Sequence, residues 1–410
     1  METKTSLKED FEVIMNGNVT SPVGFTAGGL HCGIKRRRLD LGWIYSDVPA
    51  TAAGVYTLNQ FQAPPLLVTK ESIAVENKIQ ALLVNSGVAN ACTGEQGLTD
   101  AYDMQQSFSK KLGIADHYVA VASTGVIGVP LPMDKIKNGI AQSGDLQNQE
   151  TERFEKAILT TDTCVKNIAV QLEIDGKKIT IGGAAKGSGM IHPNMATMLA
   201  FVTTDADVAH ESLSSALKQV TDRTYNQITV DGDCSTNDMV LVMANGKAQN
   251  KPLDENHTAW PKFMEALEYV SKSLAKQIAR DGEGATKLLE VQVKGAATER
   301  GARQISKAII SSNLVKTAIY GADPNWGRIV CAIGYSEQPI QPDKVNVSLG
   351  PIPVVENGLP LHFDEEEATE YLQQENVYIH VDLQQGEEEG TAWGCDLTYD
   401  YVKINASYRT

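Results

Sequence analysis

Short apolar runs alternate along the chain with polar turns and with stretches whose apolar residues recur at three- and four-residue steps, the pattern of a mixed α and β architecture. The runs predict strands at Leu41–Tyr45, Ile79–Val84, Tyr118–Ala122, Ile168–Ile174, Lys178–Ile181, Met198–Thr203, Met239–Ala244 and Leu288–Val293. Asp175-Gly176 separates two of them as a hairpin turn, because this dipeptide supplies the positive φ angles that a two-residue loop needs. Helices are predicted at Thr99–Leu112, Arg153–Leu159, Val208–Thr221, Trp260–Arg280 and Arg300–Ser311. In the fourth of these Phe263, Leu267, Val270, Leu274 and Ile278 share one face, which must pack on a core. The strand and helix pattern restarts after Glu283-Gly284, which places a smaller C-terminal α/β subdomain at 285–410.

Composition narrows the function more than the fold. The 410 residues carry a formal net charge of −15, which argues against a generic nucleic-acid binder, since that would need a basic surface to displace counterions. Residues 361 to 400 hold 12 Asp and Glu with no Lys or Arg, and read as a solvated acidic surface. Lys35-Arg36-Arg37-Arg38 reads as a solvated basic patch. The six cysteines stand at least 60 positions apart with no C-x-x-C, and the histidines form no H-x-x-x-H, so neither a disulfide framework nor a metal site is expected. The longest uncharged apolar stretch, Gly187–Thr204, is broken by His192, Pro193 and Asn194, and the opening residues lack the apolar core of a signal peptide. A cytoplasmic protein with no membrane partner is the expectation.

The densest chemical signal is Lys186-Gly187-Ser188-Gly189-Met190-Ile191-His192-Pro193-Asn194-Met195-Ala196-Thr197-Met198-Leu199. Lys186 precedes the glycines, so this is no phosphate-binding P-loop. Thr197 instead stands at the mouth of a predicted strand. A threonine there is a poor nucleophile until its own α-amino group, with a pKa of roughly 8, is freed to act as its base, and freeing it requires a cut before Thr197. Read alone, the run favours a glycine-rich turn feeding a core strand. Ala122-Ser123-Thr124-Gly125-Val126-Ile127-Gly128 adds a second strand-to-turn element with a hydroxyl beside a glycine, material for an oxyanion hole. Polar, glycine-bearing turns at Asn85–Gly94, Thr229–Asp238, Asp281–Lys287 and Tyr320–Arg328 suggest loops converging on one site. His192 reads as a loop histidine, and Asp231 and Asp233 as loop hydrogen-bond acceptors.

Together these segments resemble the ornithine acetyltransferase family of arginine biosynthesis, the glutamate N-acetyltransferases, from about Ser21 to Thr410. The resemblance implies a layered αββα core like that of N-terminal-nucleophile enzymes, and self-cleavage between Ala196 and Thr197. The products would be an α chain of residues 1–196 and a β chain of residues 197–410, the latter divided at 284/285 and assembled with the α chain as an α2β2 heterotetramer. It further implies a Thr197 nucleophile, an oxyanion hole at Thr124 and Gly125, and substrate contacts from Thr163, Lys186, Thr197, Glu283, Asn405 and Thr410. The implied reaction moves an acetyl group from N2-acetyl-L-ornithine to L-glutamate without a dissociable cofactor, with acetyl-CoA as a possible second donor. Lys186 and Glu283 have the charges that a substrate carboxylate and a side-chain ammonium require. An amidohydrolase or aminopeptidase with an N-terminal nucleophile, and an uncleaved binding protein, remain the alternatives that the residues themselves allow.

Overall fold

The computed structural model describes residues 10–144, 150–192 and 198–407. The chain opens with β1 (Phe11–Val13), β2 (Phe25–Leu30), β3 (Leu41–Tyr56), α1 (Pro64–Glu76), β4 (Lys78–Val88), α2 (Gly94–Leu112), β5 (Val119–Val126), α3 (Met133–Gln142) and α4 (Thr151–Ala157). It continues through β6 (Lys166–Ile174), β7 (Lys177–Lys186), β8 (Leu199–Thr204), α5 (His210–Arg223), β9 (Ile228–Thr229), β10 (Met239–Ala244) and α6 (Trp260–Arg280). These elements, β9 apart, build a nine-stranded sheet in the order β1-β6-β7-β8-β10-β3-β4-β5, with β2 on β3.

That sheet folds back on itself because β3 serves both halves. A bulge between Tyr45 and Ala50 divides it, so that its first part runs between β2 and β4 and its second part pairs with β10. Alternation along the strands then generates three apolar layers. Leu41, Trp43, Ala81, Leu83, Val119 and Val121 face outward onto α2 and α3. Ile44, Leu82, Val84 and Ala120 face inward and share one core with Leu199, Phe201, Leu241 and Met243 of the other half. Val202, Val240 and Val242 face α5 and α6 on the far side. Helix, sheet, sheet and helix therefore stack as αββα.

The chain ends with β11 (Leu288–Ala296), α7 (Glu299–Ser311), α8 (Asn313–Tyr320), α9 (Trp326–Gly334), β12 (Asn346–Leu349), β13 (Ile352–Glu356), β14 (Leu359–Pro360), α10 (Glu365–Leu372), β15 (Asn376–Asp382), β16 (Glu388–Cys395) and α11 (Tyr399–Ser407). Its seven-stranded sheet, β14-β13-β12-β15-β11-β16-β9, borrows β9 from the preceding region and has its own core around Val291, Ile309, Val347 and Ile379.

One surface expectation holds and another is corrected. The acidic segment is a solvated face, with most of its carboxylates exposed, and it also caps α10 through the Asp364 carboxylate at the backbone N–H groups of Glu366 and Glu367, with three glutamates in the first turn. β15 then buries Val377, Ile379 and Val381 completely. Lys35 is not a solvated end of a basic patch, because it turns inward to donate to the Leu39 carbonyl at 3.1 Å and to the Leu159 carbonyl. Burial lowers its pKa to about 8. Arg36, Arg37 and Arg38 are exposed as expected.

Candidate active site

The strands of the large sheet aim their ends at one cleft. β4 and β5 run parallel, and where Gly87 faces Gly125 both backbones take positive φ, 107° and 133°. A Cβ on Gly125 would lie 2.6 Å from the Gly87 oxygen and the Val88 nitrogen, so the close approach of the strands requires glycine there. Thr124 and Gly125 reach the cleft from β5, and Lys186 reaches it from the end of β7. Lys186 Nζ donates to Thr124 Oγ1 at 3.4 Å. The threonine oxygen is thus used as an acceptor, which leaves its O–H hydrogen to point elsewhere.

A buried ionic hub holds the surrounding loops. Lys166 is fully buried between Asp162 at 2.8 Å and Asp281 at 2.5 Å. Asp162 also accepts the backbone N–H groups of Thr160 at 2.9 Å and Gly187 at 2.6 Å. Burial by itself would raise the Asp162 pKa, but the Lys186 and Lys166 ammonium groups override it and hold the carboxyl below its ordinary range. Asp281 accepts from the backbone and hydroxyl of Thr163 and passes the linkage on, since its carbonyl takes the Ser188 hydroxyl at 2.7 Å. Three segments distant in sequence are fixed to one another through a single cation.

Glu283 follows in the same turn, its N–H donating to Ser188 O at 2.9 Å, and its carboxylate accepts Asn405 Nδ2 of α11 at 2.7 Å. Gly189 passes so near that carboxylate that a methyl group there would collide with it. Asp231 takes the N–H groups of Met190 at 2.7 Å and Ile191 at 2.8 Å, and the Tyr401 hydroxyl at 3.3 Å, so it works as a loop acceptor. His192 meets Thr229 Oγ1 at 3.0 Å, and burial, aided by Lys307, lowers its pKa to about 4. Among the described residues no group of three His, Cys, Asp or Glu could hold a metal, and no helix is long and apolar enough to cross a membrane.

Thr124, Gly125, Lys186, Glu283 and Asn405 thus meet in one cleft. Thr163 stands behind it, turned to Asp281, while its neighbours Thr160 and Thr161 line it. Ala196, Thr197 and Thr410 lie outside the described residues. Of the four polar turns, those around Ala89, Asp231–Asp238 and Glu283 contribute to the cleft. The turn at Tyr320–Arg328 does not; its Asp323–Gly327 portion lines a separate depression with Leu361, His362 and Phe363. The sequence reading missed Asp162, Lys166, Asp281 and Asp238. Asp238 shares the Thr229–Asp238 turn with Asp231, but no local spacing distinguishes it as buried.

The ArgJ family model matches residues 26–410. Arginine biosynthesis bifunctional protein ArgJ of Oceanobacillus iheyensis is 63% identical over 410 residues, covering all of both chains. A crystal structure of a protein with that name from Bacillus halodurans is 56% identical with a TM-score of 0.51, and the match covers 52% of this chain and 100% of that one. Ornithine acetyltransferase of Mycobacterium tuberculosis, solved in complex with ornithine, is 36% identical with a TM-score of 0.41, over 45% of this chain and 100% of that one. The class that these sequence matches define is an acetyltransferase. The chain belongs to the ArgJ family of arginine biosynthesis.

Proposed function

We propose that this protein moves the acetyl group of N2-acetyl-L-ornithine to L-glutamate through an acetyl ester on Thr197, having first cut itself between Ala196 and Thr197. The carrying observation is the pairing of charges in one cleft: Lys186 suits the α-carboxylate of an acetylated amino acid, and Glu283 suits the side-chain ammonium of ornithine. Thr124, its oxygen engaged by Lys186, offers a hydroxyl hydrogen to the oxyanion, and Gly125 offers a bare N–H. The freed amine of Thr197 takes the hydroxyl proton during attack and returns it to the departing ornithine nitrogen. Glutamate then attacks the ester by the same steps in reverse. Asn405 fixes the Glu283 carboxylate, and Thr163 acts through Asp281 as a positioning residue. Thr410 is a further substrate contact, as the family resemblance implies.

The cut is supported by the solved Bacillus halodurans chain, matched along its whole length by 52% of this one, the share that residues 197–410 make up. Cutting would not release the pieces. β7 and β8 lie on either side of the cut and pair antiparallel from Ile181↔Thr204 to Lys186↔Leu199, and β10 pairs with β3. An α and a β chain would therefore share one sheet and two cores, and the α2β2 assembly would be built from such pairs. The word bifunctional in the relatives' name supports acetyl-CoA as a second acetyl donor. A denaturing gel and a coupled assay test the reading. Two bands, with a single-turnover burst of ornithine from acetylornithine alone and continued turnover only when glutamate is also present, are expected; one band near 44.3 kDa and no transfer would refute it.

A further inference from the structure

One buried ionisable group in the cleft has no task in the transfer reaction. Asp238 lines the cleft at 3% exposure, and its Oδ2 has no hydrogen-bond partner. Ser235 donates to the carboxyl from its side chain and its backbone, and the Lys186 ammonium is the charged group that acts on it. Burial outweighs all three and raises the Asp238 pKa well above the ordinary carboxylate range, which favours the neutral, protonated carboxyl.

Its place along the strand gives that proton a use. β10 runs parallel to β8 with Met239 opposite Leu199, and Met239 N–H donates to Met198 O at 2.9 Å. Asp238 therefore stands alongside Met198, the residue that follows Thr197. The uncut chain has a chemical need that the mature enzyme does not. Before cleavage the Thr197 nitrogen is an amide and cannot act as a base, yet it must leave as an amine and so must gain a proton. Of the other candidates, Asp233 also lines the cleft but is exposed to solvent, and the rest are engaged: Asp231 with two backbone N–H groups and Tyr401, Glu283 with Asn405, Lys186 with Thr124, and His192 with Thr229.

Resting on the self-cleavage reading above, we propose that Asp238 is the proton donor to the Thr197 nitrogen when the Ala196-Thr197 peptide opens. Thr197 Oγ bonds to the Ala196 carbonyl carbon and the C–N bond breaks. The nitrogen departs with the Asp238 proton, and the hydroxyl proton refills the carboxylate. Water then splits the Ala196 ester, releasing a carboxylate and restoring the Thr197 hydroxyl.

The test follows conversion of the full-length chain to two bands in a pulse-labelled cell-free translation, for wild type, Asp238→Asn and Asp238→Glu, with melting curves for each. Asparagine matches the neutral carboxyl in shape but cannot give up a proton. Cleavage of Asp238→Asn should slow by about 10²- to 10⁴-fold at an unchanged melting temperature. Asp238→Glu, which keeps an acid, should cleave faster than Asp238→Asn even if both melt lower. Hydroxylamine, which splits esters, should not rescue Asp238→Asn, because the ester never forms. Cleavage of Asp238→Asn at the wild-type rate, equal residual rates in the two variants, or rescue by hydroxylamine would overturn the proposal. A wild-type chain that never cleaves would instead sink the self-cleavage reading itself.

Discussion

Replacing Lys166 with methionine tests the hub that orders the cleft. The substitution preserves side-chain length and removes the only ammonium within 4.0 Å of Asp281 among the described residues, whereas Asp162 keeps Lys186 at 4.0 Å. Breaking a buried ion pair by removing one partner costs about 3 to 5 kcal/mol. The lower end applies, because Asp162 retains the Thr160 and Gly187 N–H groups and Asp281 retains Thr163. An unfolding entropy of ~2 cal/mol/K per residue over 410 residues gives roughly 1 °C per kcal/mol, so Tm should fall by about 3 to 4 °C at pH 7.

The pH window of this loss follows from the two shifts. A depressed folded pKa at Asp162 contributes stability above the unfolded value of ~3.9, which is lost as pH falls through the folded value. Lys166 is raised: burial would lower it, but Asp162 and Asp281 carry it upward. Its contribution is complete below the unfolded value of ~10.4 and is lost as pH rises through the folded one. The difference between wild type and Lys166→Met should therefore be full from about pH 5 to pH 9 and shrink below about pH 4. Melting curves followed by circular dichroism at pH 3.5 and pH 7 measure it. An unchanged Tm at pH 7, or an equal deficit at both pH values, would refute the argument.

Gly189→Ala should leave Tm nearly unchanged while raising the KM for acetylornithine by about tenfold or more, since a methyl group displaces the flexible Glu283 carboxylate without pressing on backbone; an unchanged KM would free Glu283 from substrate binding. Thr124→Ala should slow acetylation by acetylornithine and deacetylation by glutamate alike, each by about 10²- to 10³-fold. A loss confined to one half-reaction, read by separate burst and chase measurements, would make Thr124 a substrate contact.

Much of this arrangement is legible in the sequence where one local rule governs. β10 and α6 occupy their predicted spans because an uninterrupted apolar run and a clear helical stripe leave no competing pattern. β3 grows from five predicted residues to 16 because Ser46, Asp47 and Pro49 interrupt its apolar pattern at the bulge. Glycine-bearing turns marked the segments that hold Thr124, Gly125, Lys186 and Glu283, since backbone that must take positive φ or approach another strand leaves its mark in residue type, whereas the roles of Lys186 and Glu283 came from the family resemblance. The ionic hub leaves no such mark: Lys166 and Asp281 are 115 positions apart, and only the sheet brings them together. Lys35 looks like its exposed arginine neighbours until the Leu159 carbonyl claims it. In β15 the period-two alternation of Val377, Ile379 and Val381 was present, but the surrounding acidic charge obscured it.

Intact mass of the denatured protein after mixing with acetylornithine in the absence of glutamate tests the central claim most directly. The account predicts a fragment of residues 197–410 heavier by one acetyl group, the label mapping to Thr197, and its disappearance when glutamate is added. A single uncut chain, an acetyl group on any other residue, or a label that glutamate does not remove would contradict it.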